Sequence, residues 1–574
     1  MTKLPQRQRA VQLVGPDELI FNDCKKVTAP GPHQILCQVE VVGLCFSDLK
    51  LLKQFSFHVR KSEVVSGIEQ SVLKKISSYV PAEAATVPGH EAVVKVAAVG
   101  PQVKNFKNGE RYLVQADYRW LKTKSSNAAF GYNFEGALQE YVLIDERAIT
   151  SPEGESMLLS FSENLSASAA ALVEPWACVE YTYASRERRS LKADGRMLVV
   201  ADVKVDENAL GNLFGLYGRP KQITWVSESA NISKFNDASY DDVVYFGSNA
   251  DTVEALSGKV AEKGLLNIVL CGGRFARNVV TQVGRVHYGG IRIVGTSGYD
   301  PAESMAYIPE NGEIRPCDKI NVIGAGGPMG VMHVIRNICQ GIENVAVFAG
   351  DIDDDRLEAL TKIAEPLAKK NNVQYRSYNP TKEKCSETCG VVTAHLDPRV
   401  VRETFDYTVL MAPVPDLVAS SVYSSAEHGI INIFAGIPTS FATERRETDS
   451  LNGCGYASRI DLNTYIDKRL YFIGTSGSTI DDMKAILTKV ESGTLDTNSV
   501  VAAVCGLEGA IEGIRAVETR EISGKIIVYP ACKGLELVEL KKLGEKLPQV
   551  AEKLDDGFWN KKAEETLLKI YQNL

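Results

Sequence analysis

The sequence predicts an α/β protein: a β-rich N-terminal domain, then two tandem doubly wound, Rossmann-like modules, the first lacking the glycine-rich turn. Three observations lead there. Residues 1 to about 180 are rich in β-branched residues, Gly and Pro, whereas from Met197 onward apolar strands alternate with amphipathic stretches. The alternation runs through twice, and each copy closes on Gly-Thr-Ser-Gly after an apolar strand, at Gly295–Gly298 and Gly474–Gly477. Only the second copy opens on a glycine cluster.

Composition sets the bounds. A chain of 574 residues is too long for one core, so about three domains are expected. Apolar content of 44% and charged content of 24% suit a soluble globular protein. A net charge of −8 gives no reason to expect a nucleic-acid or anionic-membrane partner. No apolar run approaches the ~20 residues of a membrane helix. Met1–Ala10 is polar and basic, unlike a signal peptide. The 12 cysteines lack paired spacing, as expected of reduced thiols in a cytoplasmic protein. Cys385-Ser-Glu-Thr-Cys389 has the look of a metal pair but no second pair beside it.

In chain order, Ile35–Val42 alternates as a strand, and Val93–Val99 and Gly109–Val114 read as short strands joined by turns. The first α/β copy runs through strands 197–201, 222–226, 242–246 and 266–270 to 291–294. The second runs through 320–323, 345–348, 407–411 and 430–434 to 470–473. Directly after its first strand the second copy carries Gly324-Ala325-Gly326-Gly327-Pro328-Met329-Gly330, and a helix follows. Glycines there let the backbone approach a pyrophosphate, and the helix N-terminus supplies N–H donors. Asp351, at the end of the next strand, stands where an acid would meet a ribose. Asp353, Asp354 and Asp355 follow, and that density of negative charge favours NAD over NADP. The equivalent turn of the first copy, Asp202–Glu207, has no glycine and three acids, so no nucleotide is expected there. The tail from Leu535 is Lys/Glu/Leu-rich at helical spacing, broken at Asp555-Asp556-Gly557.

Three short motifs carry the chemistry: Gly43-Leu44-Cys45-Phe46-Ser47-Asp48-Leu49, Pro88-Gly89-His90-Glu91 and Ala171-Leu172-Val173-Glu174-Pro175. Together they offer a thiolate, an imidazole and two carboxylates. A catalytic zinc takes three such ligands and keeps a fourth position for water or substrate.

With the glycine-rich stretch Gly131–Tyr141 and the string Gly524-Lys525-Ile526-Ile527-Val528, these motifs in this order resemble the zinc-dependent medium-chain dehydrogenases, on the sorbitol dehydrogenase and sugar-phosphate reductase side. The resemblance implies zinc on Cys45 and His90, with Glu91 or Glu174 as the carboxylate ligand. It implies Ser47 as the hydroxyl relaying the alcohol proton, although Lys50 stands near where many members end the relay with a histidine. It implies NAD on Gly324, Gly326, Gly327, Gly330 and Asp351, with Gly436 at the strand end beside the nicotinamide. Residues 112–140 hold no cysteine, so the family's second, structural zinc should be absent.

The expected organisation is a zinc-binding catalytic domain over 1–190, the glycine-free module over 191–318 and an NAD-binding domain over 319–489. Residues 490–574 then return to the catalytic domain and add C-terminal helices, with the active site in the cleft beside the NAD domain. The expected activity is hydride transfer between NAD(H) and a secondary alcohol or ketone of a sugar, polyol or sugar phosphate. Lys50, Lys53, Arg60 and Lys61 are candidates to meet a phosphate. An epimerase or lyase that oxidises transiently, or a non-catalytic assembly protein, would use the same parts differently. A homo-oligomer is possible. The substrate is the expected small-molecule partner.

Overall fold

The computed structural model describes residues 4–205, 207–227, 229–382, 404–437 and 458–572. Cys385, Cys389 and Asp206 lie outside the described residues. The chain divides into two compact units, 1–178 with 478–574, and 179–477.

The first unit is built on an eight-stranded sheet. Its centre is the strand Gln34–Gly43, nearly all of it buried, as its apolar run requires. On one side lie Glu91–Val99, Arg111–Val114 and Leu158–Ser160, and Tyr141–Asp145 also pairs with the central strand. On the other side Lys525–Val528 joins antiparallel, Ile527 opposite Gly43 and Val528 opposite Val42. Val501–Cys505 and Val538–Glu539 follow. Val39, Val42, Val94, Ala503 and Ile526 therefore share one core with residues far away in sequence. Each buried aliphatic side chain contributes about 1.5–3 kcal/mol.

This unit takes up the chain from residue 478, not from 490. The helix Ile480–Glu491 belongs to it, because Lys484 pairs with Glu155 at 2.5 Å and Glu491 accepts the Ser162 N–H at 2.8 Å. The other division falls at 178/179, where composition suggested 190/191. In the tail, Glu564 is buried and accepts the N–H groups of Ala167 and Ser168 at 2.6 and 2.9 Å and the Tyr529 hydroxyl at 2.9 Å.

The second unit holds two parallel sheets. One runs Gln222–Val226, Arg196–Ala201, Tyr240–Phe246, Val260–Val269, Arg292–Thr296. The other runs Gln374–Tyr378, Ala346–Gly350, Lys319–Ile323, Phe405–Leu410, Ser425–Ile433, Tyr471–Ile473. Without its first strand, the second order repeats the first. Even the register shift repeats, between Tyr240 and Asp242 in one sheet and between Phe405 and Tyr407 in the other. Gln374–Tyr378 has no counterpart. Its sequence, Gln-Tyr-Arg-Ser-Tyr, is polar, as suits an edge strand, and gave no apolar signal. Leu198, Val200 and Ile268 of one sheet share a core with Ile431, Ile433 and Phe472 of the other. Among the described residues no helix is long and apolar enough to cross a membrane.

Candidate metal centre and nucleotide turn

The strand Gln34–Gly43 delivers Cys45 to the N-terminus of the helix Phe46–Gln54. Asp48, in the first turn, folds back to accept the Cys45 N–H at 3.1 Å. The same carboxylate takes Nδ1 of His90 at 3.0 Å. That bond fixes the ring so that Nε2 is turned toward the cysteine, the usual way an outer carboxylate orients a histidine ligand. Burial opposes charge on His90, yet Asp48 raises the imidazole well above its ordinary value.

Glu91 opens the neighbouring strand, opposite Gly43. A side chain at Gly43 would collide with the Glu91 carboxylate, so this glycine makes its room. The ligand atoms of Cys45, His90 and Glu91 all lie within 4.8 Å of one another. Oε1 of Glu91 pairs with Lys525 on the strand that returns from the far end of the chain. Oε2 is fully buried and has no hydrogen-bond partner. An orphaned carboxylate oxygen costs about 1–3 kcal/mol or more. A bound cation would satisfy it, and a Cys/His/Glu donor set suits zinc.

Glu174 lies outside that three-residue group. Its environment includes His90, Glu91, Lys525 and Arg60, and burial first, then Glu91, raises its carboxyl. Ser47 sits between the other donors, its Oγ 3.0 Å from the Cys45 sulfur and 3.2 Å from His90 Nε2. Tyr132 bonds Ser47 and lies 5.8 Å from the His90 ring and 5.1 Å from the His58 ring. Burial, with help from Arg60 and Lys50, lowers His58 to about 4.

Of the basic candidates, Lys61 is buried and bonded to the Val80 and Ala84 carbonyls, and Lys53 pairs with Asp17 and Glu518. Arg60 lies 5.8 Å from the Tyr132 ring and its charge acts on Glu174, while Lys50, like Arg60, acts on His58. Asp48, Tyr132 and Lys525 stood inside the quoted motifs without a role of their own, and His58 was not singled out. Tyr132 had a signal in the preceding Gly131, whose φ of +83° sets the turn against Gly89 and His90. Lys525 had none, since its partner is distant in sequence.

In the second unit, Gly324 ends the strand Lys319–Ile323 at φ +84°, a conformation closed to most residues. Gly330 packs so close that a Cβ there would strike the Gly324 carbonyl oxygen. Gly327 precedes the helix Pro328–Cys339, and no side chain caps it. Asp351 accepts the Gly326 N–H at 2.8 Å, which brings the acid to the turn. Gly436 follows the strand Ser425–Ile433. At the corresponding turn of the first sheet, Asp202 accepts the Tyr245 hydroxyl at 2.7 Å and the Thr252 hydroxyl at 3.1 Å.

Residues 31–153 match the alcohol dehydrogenase GroES-like domain family. That match spans the part of the chain that carries Cys45, His90 and Glu91. A curated relative is the uncharacterized protein YggP of Escherichia coli K12, 25% identical over 263 residues; the match spans 44% of this chain and only 57% of that protein. Among solved structures, 2R,3R-butanediol dehydrogenase from Bacillus subtilis is 14% identical at a TM-score of 0.49, covering 91% of this chain and 99% of its own. L-idonate 5-dehydrogenase from Escherichia coli is 10% identical at 0.44, covering 91% and 98%.

Proposed function

We propose that the protein is a zinc-dependent oxidoreductase that moves hydride between NAD(H) and a secondary alcohol or ketone of a polyol, sugar or sugar phosphate. The observation that carries this is the convergence of Cys45, His90 and Glu91 around an unpartnered, buried carboxylate oxygen. These three residues would hold the metal, with Glu174 close enough in charge to exchange with Glu91. Bound zinc supplies Lewis acidity, which favours the alkoxide form of an alcohol and polarises a ketone. Asp48 holds His90 in the tautomer that presents Nε2. Ser47 Oγ takes the alcohol proton and hands it on toward the Tyr132 hydroxyl. Arg60 is the residue placed to meet an anionic substituent on the substrate.

NAD belongs on the turn Gly324–Gly330, its pyrophosphate against the uncapped helix N-terminus and its ribose on Asp351. We infer that the first sheet is a degenerate module of the same kind, its crevice closed by Asp202, Tyr245 and Thr252. The protein is expected to carry one zinc per chain and to work in the cytoplasm.

Elemental analysis after zinc-replete purification, combined with NADH absorbance across a polyol panel, tests the reading. Cys45→Ser should lose metal and activity together. A fully active, metal-free Cys45→Ser protein would sink it.

A further inference from the structure

The two sheets of the second unit are related by a local two-fold axis, and the pairing shows it residue by residue. Arg292 stands opposite Leu265 as Tyr471 stands opposite Ile430, which makes Arg292 and Tyr471 counterparts. Lys263 and His428 are counterparts too: their φ angles are +58° and +59°, and their N–H groups bond Gly289 and Lys468 at 2.7 Å each. At the offset of the Arg292–Tyr471 pair, Val279–Thr281 corresponds to Ser458–Ile460.

Those two corresponding strands pair with each other, antiparallel, with Val280 opposite its own counterpart Arg459. A residue facing its own counterpart marks the axis. The contacts around it are reciprocal. A Cβ on Gly295 would meet Ile466 at 2.8 Å, and a Cβ on Gly474, the counterpart of Gly295, would meet His287, the counterpart of Ile466, at 2.9 Å. Arg292 and Tyr471 both donate to Glu187, at 2.6 and 2.8 Å. This self-complementary pattern is the one that joins identical subunits about a two-fold. Here it joins two halves of one chain and covers the edge strands Arg292–Thr296 and Tyr471–Ile473, which would otherwise present unpaired backbone.

The first module also reaches past that edge. His287 Nδ1 lies 3.1 Å from the Ile433 carbonyl oxygen. Tyr288 packs its hydroxyl so closely over Gly436 that a Cβ there would collide with it. On the other arm Asp467, the counterpart of Tyr288, pairs with Arg274 at 2.8 Å. We propose that residues 191–318 serve the nucleotide module as a built-in second subunit, closing its sheet edge and lending Tyr288 to the strand end at Gly436, beside the cofactor's nicotinamide. The second half of this rests on the cofactor reading given above. It gives the glycine-free module a task that needs the sheet and no nucleotide.

Two experiments on the full chain test it. Opposed residues of an antiparallel pair have Cα atoms about 4.5–5.5 Å apart, within reach of a disulfide. Oxidised V280C/R459C should therefore cross-link inside one chain and stay at 62.7 kDa. Cross-linked dimers, or no cross-link, would overturn the internal two-fold. Tyr288→Ala should raise the Kd for NADH about three- to tenfold, the worth of one aromatic contact, at an unchanged melting temperature. Leu216→Ala, on the exposed face of the same module, should leave Kd unchanged. An unaltered Kd for Tyr288→Ala would overturn the lending of Tyr288. A wild-type chain that binds no NADH would overturn the cofactor reading and the role of Tyr288 with it, while the cross-link decides the two-fold in either case.

Discussion

The two parallel sheets of the second unit share the order of five strands and even a register shift, yet apart from the extra edge strand Gln374–Tyr378 they differ in the turn after the first strand. After Lys319–Ile323 the chain turns on Gly324 and packs Gly330 against it. After Arg196–Ala201 it turns through Asp202, whose carboxylate is held by Tyr245 and Thr252. On the reading proposed above, the shared topology makes room for a nucleotide and the turn decides whether one binds. The site is a few N–H groups at a helix N-terminus with no Cβ in front of them. On the same reading, side chains in that space leave the first sheet a packing role.

The sharpest way to break this comparison is Gly330→Val. The new side chain would enter the Gly324 carbonyl and the Ala325 backbone. Overpacking of this kind costs about 1–3 kcal/mol of stability. NADH binding, followed by its fluorescence, should be lost in this variant, whereas Asp202→Ala in the first module should bind NADH like the parent. Calorimetry on the parent should count one NADH per chain, and two equivalent sites would erase the distinction between the modules.

Next in size is Asp351→Ala. It removes an acceptor that a ribose hydroxyl pair would use, worth about 1.5–3 kcal/mol of NADH binding. It should also narrow the preference against NADPH. Equal affinities of parent and variant for both nucleotides would show that Asp351 serves only the Gly326 N–H.

A further prediction concerns pH. The helix after the glycine turn buries His333 against Tyr183, which lies 2.8 Å from its Nδ1. Burial first, then Arg336, lowers His333 to about 3. Its ordinary value is about 6.5, so the unfolded chain takes the proton first as pH falls. Stability from this group is therefore full above about 6.5 and drains away toward about 3, by at most about 1.4 kcal/mol per pH unit. Denaturant melts of His333→Gln should show a shallower loss between pH 6.5 and 4 than the parent. Parallel slopes would remove His333 from the account.

Much of this was legible from sequence because it is written locally. Apolar strands, the glycine turn, the repeated Gly-Thr-Ser-Gly and the motifs around Cys45, His90 and Glu174 each announce themselves within a few residues. What escaped was long-range. Lys525 meets Glu91 only because Lys525–Val528 pairs with Gln34–Gly43. The helix Ile480–Glu491 reads the same whichever unit it packs on, and only Glu155 and Ser162 show where it goes. Gln374–Tyr378 is a polar edge strand and lacks the apolar alternation that marks the others. Glu174 and Glu91 could not be told apart by spacing, because the difference lies in which of them stands within reach of Cys45 and His90.

The pairing of Gln34–Gly43 with Lys525–Val528 also sets a clock. On the ribosome the whole of 179–477 is made between the two halves of the first unit's sheet. That α/β unit is continuous in sequence and can fold while synthesis proceeds. The sheet holding Cys45, His90 and Glu91 cannot close until residues 525–528 emerge, and until then the Glu91 carboxylate lacks Lys525. A nascent chain halted before residue 525 should thus acquire a protease-resistant α/β unit while its cysteine-and-histidine domain remains open to cleavage.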